Sequence, residues 1–407
     1  MSSLRILVYC HDRFGLGHTT RTLKIATHLA ENVANCSVLL LTDLSIIGRF
    51  KFPQNVDYVH LPCLLPNASR KYSAGNLNIE MENTLRIRRK ITQSAAKTFQ
   101  PNLFFVERDP FGLQNEMQRT LGFVREELPE TKIVWGLPDV IGEPQTIVSD
   151  WDREGVYPIL DRCCDEIWVY GAPEIFDVVR QYKLPPTLAE KVVYTGYLRS
   201  PGGANHRLKK DISRLNARKP FVLITAGSGA EGYALIDTYL RFLENAGAAV
   251  PFQSLIVSGP MMRSREKSLL LQRAQKLPGV IFHRFSKNIL QYVKYAHAVV
   301  CTGGYNTLCE ILSYRKQAVV VPFLTPPREH YLRAKLFEDL GLLKILSPTE
   351  LTPERLGDVV SASLHQQPVR ALRPRYLKIP LEGLEKITAR VEALSGVKTF
   401  LRPQAVS

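Results

Sequence analysis

No apolar run in this chain approaches the ~20 residues needed to cross a bilayer. Met1 to Arg5 lead directly into a short strand, without the charged and apolar regions of a signal peptide. The chain is therefore expected to be made and kept in the cytosol. Cysteine is sparse: Cys10, Cys36, Cys63, Cys163, Cys164, Cys301 and Cys309 form an odd set without CxxC spacing, several of them in apolar runs. Buried reduced thiols are expected, not a disulfide framework or a zinc site. Acidic residues are also short, with 38 Asp and Glu against 53 Lys and Arg, a formal charge of +15. A field of that sign attracts nucleic acid, anionic lipid or phosphorylated substrates. Nucleic acid is not the expected partner, because no aromatic-basic interleaving or nucleic-acid motif accompanies the charge. There is no convincing internal repeat.

What is present is a pair of glycine-rich turns far apart, each opening a helix. The run Leu4 to Tyr9 leads into Gly15-Leu16-Gly17-His18, and Val299-Val300-Cys301 leads into Thr302-Gly303-Gly304-Tyr305-Asn306-Thr307. A strand, a glycine turn and a helix N-terminus make an anion site: the backbone approaches closely, N–H groups point outward and the helix dipole favours negative charge. At 407 residues with 45% hydrophobic content, the chain suits two α/β domains better than one core.

Short β-branched and aromatic runs alternate with helical patterns, the signature of parallel sheets built from βαβ units. Strands are expected at 5–10, 37–41, 58–61, 103–106, 132–135, 166–169 and 191–194, and then at 221–225, 254–257, 280–284, 298–301 and 318–322. Between the two series lies 199–219, with Pro201-Gly202-Gly203 and seven basic residues against one acid, which reads as a linker. The expected division is an N-terminal domain over 1–198, the basic linker 199–219, a C-terminal domain over 220–366, and a helical segment 367–407 packing back on the first domain. A second basic cluster, Arg86-Ile87-Arg88-Arg89-Lys90, falls in a helix-capable segment, where a basic face beside Ile87 and Ile91 suits an anionic membrane surface.

Four motifs, taken in order, carry a resemblance: 225–232 (Thr-Ala-Gly-Ser-Gly-Ala-Glu-Gly), 285–289 (Phe-Ser-Lys-Asn-Ile), 301–310 (Cys-Thr-Gly-Gly-Tyr-Asn-Thr-Leu-Cys-Glu), and Pro322-Phe323 through Arg328-Glu329-His330-Tyr331-Leu332-Arg333-Ala334. Their order is specific, although each alone is weak. The second half resembles the nucleotide-sugar-binding domain of GT-B glycosyltransferases of the family-28 group, which includes the bacterial peptidoglycan N-acetylglucosaminyltransferase. The N-terminal Gly15-x-Gly17-His18 is similar to that family's first glycine loop. The resemblance implies an α/β fold of GT-B type, with two Rossmann-like domains facing a central cleft. It implies a sugar transferred from a nucleoside diphosphate, uridine by default, to an acceptor hydroxyl, with inversion and without metal or cofactor. The basic charge adds an anionic or lipid-linked acceptor and an enzyme resting on the inner membrane face.

Such a transfer builds negative charge on the leaving diphosphate, which backbone N–H groups and helix N-termini stabilise. Gly15 and Gly17, Gly227-Ser228-Gly229, and Thr302, Gly303, Gly304, Asn306 and Thr307 are the candidates for donor binding. Packing of helix on strand is the competing role for these glycines. Glu310 stands in an otherwise apolar helical stretch, where a carboxylate needs a hydrogen-bonding partner; the resemblance makes that partner the ribose. Phe285 is placed by resemblance near the base. Arg328, Glu329 and His330 occupy the donor-sugar loop, where the peptidoglycan enzyme has two glutamines at the positions of Glu329 and His330. That exchange alters the donors and acceptors offered to sugar hydroxyls, so N-acetylglucosamine is not assumed. For the base that deprotonates the acceptor, His18 fits best. Glu107, Asp109 and Asp139 are alternatives after strands. A nucleotide-sugar epimerase and a non-catalytic nucleotide- or polyanion-binding protein are the rival readings. A dehydrogenase is disfavoured because the first loop is not a clean G-x-G-x-x-G.

Overall fold

The computed structural model describes residues 3–12, 15–66, 72–200, 215, 219–247, 250–286, 289–324, 327–365 and 379–396. Most of the basic segment 199–219, Lys287 and Asn288 of the second motif, Pro326 of the sugar loop, and much of 367–407 lie outside the described residues. The chain forms two compact units. One comprises Met1–Asp139, Pro144–Leu198 and Glu382–Ser407; the other comprises Val140–Glu143 and Arg199–Leu381.

The first unit is built on β1 (Leu4–Cys10), β2 (Cys36–Thr42), β3 (Val56–His60), β4 (Leu64–Pro66), β5 (Tyr72–Ala74), β6 (Leu103–Glu107), β7 (Lys132–Pro138), β8 (Glu166–Tyr170) and β9 (Val192–Tyr194). Its helices are α1 (Gly17–Asn32), α2 (Met81–Phe99), α3 (Gln118–Glu127), α4 (Pro144–Glu154), α5 (Val156–Cys163), α6 (Val178–Gln181) and α7 (Pro186–Ala189). Seven strands pair in parallel in the order β3-β2-β1-β6-β7-β8-β9. β6 and β8 are buried at every position, as strands covered by helices on both faces must be. The hairpin β4-β5 stands apart from that sheet and packs on α2.

The second unit contains β10 (Phe221–Thr225), β11 (Gln253–Val257), β12 (Val280–His283), β13 (Ala298–Cys301), β14 (Gln317–Val320) and β15 (Lys344–Ile345). With them come α8 (Tyr233–Ala246), α9 (Ser264–Ala274), α10 (Ile289–Tyr295), α11 (Tyr305–Ser313), α12 (Glu329–Asp339) and α13 (Pro353–His365). The strand order is β12-β11-β10-β13-β14-β15, all parallel. Ile224, Val300 and Val319 meet Leu240, Leu270 and Val360 in its core. The last helix, α14 (Gly383–Ser395), returns to the first unit, where it packs on α1 and β6.

Both sheets reverse strand order beside their first strand, between β1 and β6 and between β10 and β13. In open α/β sheets ligands bind at that switch point, outside the strand C-termini. The expected strands all form, within a few residues of their ends. The short hairpin β4-β5 and the two-residue β15 are additional. All seven cysteines are free, six of them buried.

Candidate active site

At the first switch point β1 delivers His11 and Asp12, and β6 delivers Arg108 and Asp109. The Asp12 carboxylate reaches forward to the start of α1: Oδ1 accepts from the His18 N–H at 3.0 Å and Oδ2 from the Thr19 N–H at 2.9 Å. Burial pushes this carboxyl up to about 6, against the lowering effect of the hydrogen bonds from Thr19 and His18. The N–H groups of His18 and Thr19, in the first turn of α1 just after Gly15 and Gly17, are therefore engaged by the chain's own carboxylate.

His18 is half-buried, and its Nδ1 lies 2.7 Å from the His11 carbonyl oxygen. A carbonyl only accepts, so Nδ1 carries the proton and Nε2 is the basic nitrogen. Desolvation, then the positive charges of Arg108 and Arg21 and the neighbouring His11, hold His18 well below the usual imidazole range; Asp109 acts in the opposite direction. The His11 ring lies edge-on to His18, with centroids 6.2 Å apart. Its Nε2 is 3.0 Å from Asp109 Oδ2. His18, His11 and Asp109 thus form one cluster, in which His11 was not anticipated from the sequence.

Two expected carboxylates do not suit proton transfer. Glu107 is fully buried; Arg21 holds one oxygen and the Tyr170 hydroxyl donates to the other at 3.0 Å. Asp139 is also fully buried and accepts from the Tyr197 hydroxyl at 3.0 Å. Both strand-end carboxylates are thus buried hydrogen-bond acceptors and not exposed groups at loop tips. The basic cluster on α2 is corrected too. Arg88 is buried, donating to both oxygens of Glu116 and, at 3.1 Å, to Asp43, while Arg89 pairs with Glu82. Arg86 and Lys90 remain its exposed cations.

At the second switch point the glycines divide by role. Gly229, at φ +90°, backs onto the Ser258–Gly259 backbone so closely that no Cβ fits, which is the packing role. Gly227, at φ +62°, has open space where a side chain would stand, with Thr302 Oγ1 3.8 Å away as its neighbour there. Ser228 lies in the turn between them. Gly303, at φ +82°, lets the chain turn against Val320, whose Cγ1 would lie 2.7 Å from a Cβ. Gly304, in extended conformation, opens α11. Asn306 and Thr307 lie half-buried in the first turn, and Thr302 is buried beneath it.

Glu310, 5% exposed, follows on α11, and its Oε1 accepts from the Ser200 hydroxyl at 2.6 Å. His330, at the start of α12, packs on Phe323 with centroids 5.1 Å apart, and its Nε2 is 3.8 Å from where a Gly304 Cβ would be. Glu329 stands beside it, 3.8 Å from His330 Nε2. Arg328, at φ +56°, turns to pair with Glu143 at 3.1 Å. Buried Arg333 lies over the Tyr305 ring and donates to the Val140 carbonyl, which anchors α12 to α11. Phe285 is half-buried after the edge strand β12, away from the turns at β10 and β13. The structure thus brings Gly227, Thr302, Gly303, Gly304 and His330 close together, with Glu310 farther along α11.

Residues 221–377 match the family described as the glycosyltransferase family 28 C-terminal domain. The UDP-N-acetylglucosamine--N-acetylmuramyl-(pentapeptide) pyrophosphoryl-undecaprenol N-acetylglucosamine transferase of Haemophilus influenzae is 31% identical over 107 residues, which cover 26% of this chain and 30% of that relative. The aligned part is thus less than a third of the relative. Among solved structures, MurG of Acinetobacter baumannii superposes with a TM-score of 0.59 at 14% identity, covering 96% of this chain and 99% of that one. A UDP-glucosyltransferase from Polygonum tinctorium gives a TM-score of 0.66 at 12% identity, covering 98% and 100%. The fold is GT-B, with two Rossmann-like units, and the family-28 resemblance holds for the second of them.

Proposed function

We propose that this protein is a glycosyltransferase that moves a sugar from a nucleoside diphosphate, most simply uridine diphosphate, to an acceptor hydroxyl. The observation that carries the reading is the second switch point, where Gly227, Thr302, Gly303, Gly304 and His330 gather at the start of α11, with the buried Glu310 carboxylate farther along the same helix. The first switch point presents His18, which burial and nearby cations hold well below the usual imidazole range. The acceptor oxygen attacks the anomeric carbon as the bond to the diphosphate breaks, its proton passes to His18 Nε2, and the charge gathering on the diphosphate is met by the N-terminus of α11. A single displacement of this kind inverts the anomeric centre, and the helix terminus meets the charge without a metal ion. Glu310 takes the ribose hydroxyls, and Glu329 and His330 face the sugar.

The Haemophilus relative is named for a lipid-linked pyrophosphoryl acceptor, and an acceptor of that class suits a chain of charge +15. Four large apolar side chains, Leu65, Leu77, Ile79 and Ile87, are 39–51% exposed around the start of α2, where Arg86 and Lys90 are also exposed. They support docking of the enzyme on an anionic membrane surface.

The donor reading is tested by thermal stabilisation with uridine, thymidine, guanosine and adenosine diphosphates. One nucleotide is expected to raise the melting temperature of the wild type and to lose its effect in Glu310→Ala. If no nucleotide shifts the wild type while polyanions do, a non-catalytic binding protein replaces the transferase.

A further inference from the structure

Glu310 lies on the buried side of α11 with Leu308, Cys309, Ile311 and Leu312, all nearly inaccessible. A carboxylate in such company needs a donor, because an unmet charge there costs far more than one hydrogen bond returns. The Ser200 hydroxyl is such a donor, at 2.6 Å from Oε1. Both residues belong to the second unit, Ser200 at the point where the chain enters it.

A serine hydroxyl and a ribose hydroxyl are the same hydrogen-bonding group, one O–H on a saturated carbon. Building on the nucleotide reading of Glu310 given above, we infer that Ser200 is a positioning residue of the nucleotide site: its hydroxyl holds the Glu310 carboxylate in the orientation a ribose uses and is exchanged for ribose when a nucleoside diphosphate binds. In that exchange the hydrogen bond from Ser200 to the carboxylate is broken and its hydroxyl passes to water, while a ribose O–H donates in its place. The carboxylate keeps a hydroxyl partner throughout. Because the Ser200 hydrogen bond is given up as the ribose bond is made, ribose gains less free energy from Glu310 than it would if the serine were absent. Ser200 therefore lowers the apparent affinity for nucleotide while keeping the site arranged to receive it. A ligand without ribose hydroxyls cannot complete the exchange.

The test is calorimetric titration of UDP and 2′,3′-dideoxy-UDP into wild type, Ser200→Ala, Ser200→Thr and Glu310→Ala. Removing the serine leaves the carboxylate without that donor until ribose supplies one, so Ser200→Ala is expected to bind UDP about threefold to tenfold more tightly than wild type, the span of one modest hydrogen bond. The gain is expected to vanish with the dideoxy nucleotide, and Ser200→Thr, which keeps a hydroxyl, to retain wild-type affinity. Unchanged or weaker UDP binding by Ser200→Ala overturns the inference, as does an equal gain with both nucleotides. Failure of the nucleotide reading itself looks different: wild type then takes up no UDP, or Glu310→Ala binds it as well as wild type does.

Discussion

A histidine whose Nδ1 is tied to a backbone carbonyl has one nitrogen left to accept a proton, and in His18 that nitrogen is Nε2. Burial and the cations Arg108 and Arg21 hold its protonated form at a disadvantage, so the imidazole stays neutral below the range in which a free histidine charges. Activity that needs the neutral base is lost as pH falls through the pKa of His18. The acidic limb of kcat/KM is therefore expected below ~6.5, the ordinary imidazole value. Asp109 opposes the depression, so Asp109→Asn should move the limb to still lower pH. His18→Ala should lower kcat by about 10²–10⁴ while leaving nucleotide affinity in place, the span typical of a lost general base. A limb at or above the ordinary value, or a His18→Ala variant that turns over normally, would move the base elsewhere. The place of His18 was legible in the sequence, because a histidine closing a glycine loop after a strand lies at the strand's C-terminal edge. His11 was not: it directly follows β1, and nothing marks it until the fold brings Asp109 within 3.0 Å.

Among the elements, α1 and α11 look alike in sequence, each a helix entered through glycines after a buried strand. In α1, Asp12 reaches forward across a six-residue span to take the N–H of His18. That spacing lies outside the familiar cap patterns, which place the acceptor two or three residues from its donor, so sequence alone left both turns as phosphate sites. The strands were easier to read. Runs such as Phe221–Thr225 are buried throughout and almost wholly apolar because both faces are covered, whereas Leu64–Pro66 and Lys344–Ile345 are too short to show a period. Arg88 was misread for a related reason: its partners Glu116 and Asp43 come from other elements, and a cation in a basic cluster looks solvated until they are known. Asp12 makes a pH-dependent prediction. Its pKa in the fold is raised from 3.8 to about 6, so the folded chain holds a proton that the unfolded chain has released. The stability this contributes is complete below ~4 and is lost as pH rises through about 6. Asp12→Asn cannot titrate. Between pH ~4 and ~6 the melting temperature of wild type should therefore fall relative to Asp12→Asn, and a gap that widens in wild type's favour would contradict the raised value.

For the whole molecule, the question is where a charge of +15 is used. Ion pairs within the fold take up some of the cations without changing that excess, since each uses an acid already counted against it. Arg21 and Arg88 are consumed by Glu107 and Glu116, and Arg125, Arg273 and Arg390 pair with Asp165, Glu244 and Glu166. Around the start of α2, however, Arg86 and Lys90 are exposed one helical turn apart, and Ile87 is exposed between them. The hairpin β4-β5, which packs on the same helix, adds Leu65, and the connection to α2 adds Leu77 and Ile79. Apolar side chains beside cations suit a membrane surface better than either group alone, because the apolar groups enter the interface while the cations meet anionic headgroups. Each cation near such a surface contributes about 1 kcal/mol, so Arg86→Gln with Lys90→Gln should weaken binding to vesicles containing phosphatidylglycerol roughly thirtyfold. That loss should shrink as salt is raised, because screening removes the same attraction from wild type. Leu77→Ser with Ile79→Ser should weaken binding at every salt concentration, because the apolar contribution is not screened. Co-sedimentation with anionic and zwitterionic vesicles reads both effects. Equal binding to the two kinds of vesicle, or none to either, would leave the patch as ordinary surface and place the acceptor in solution.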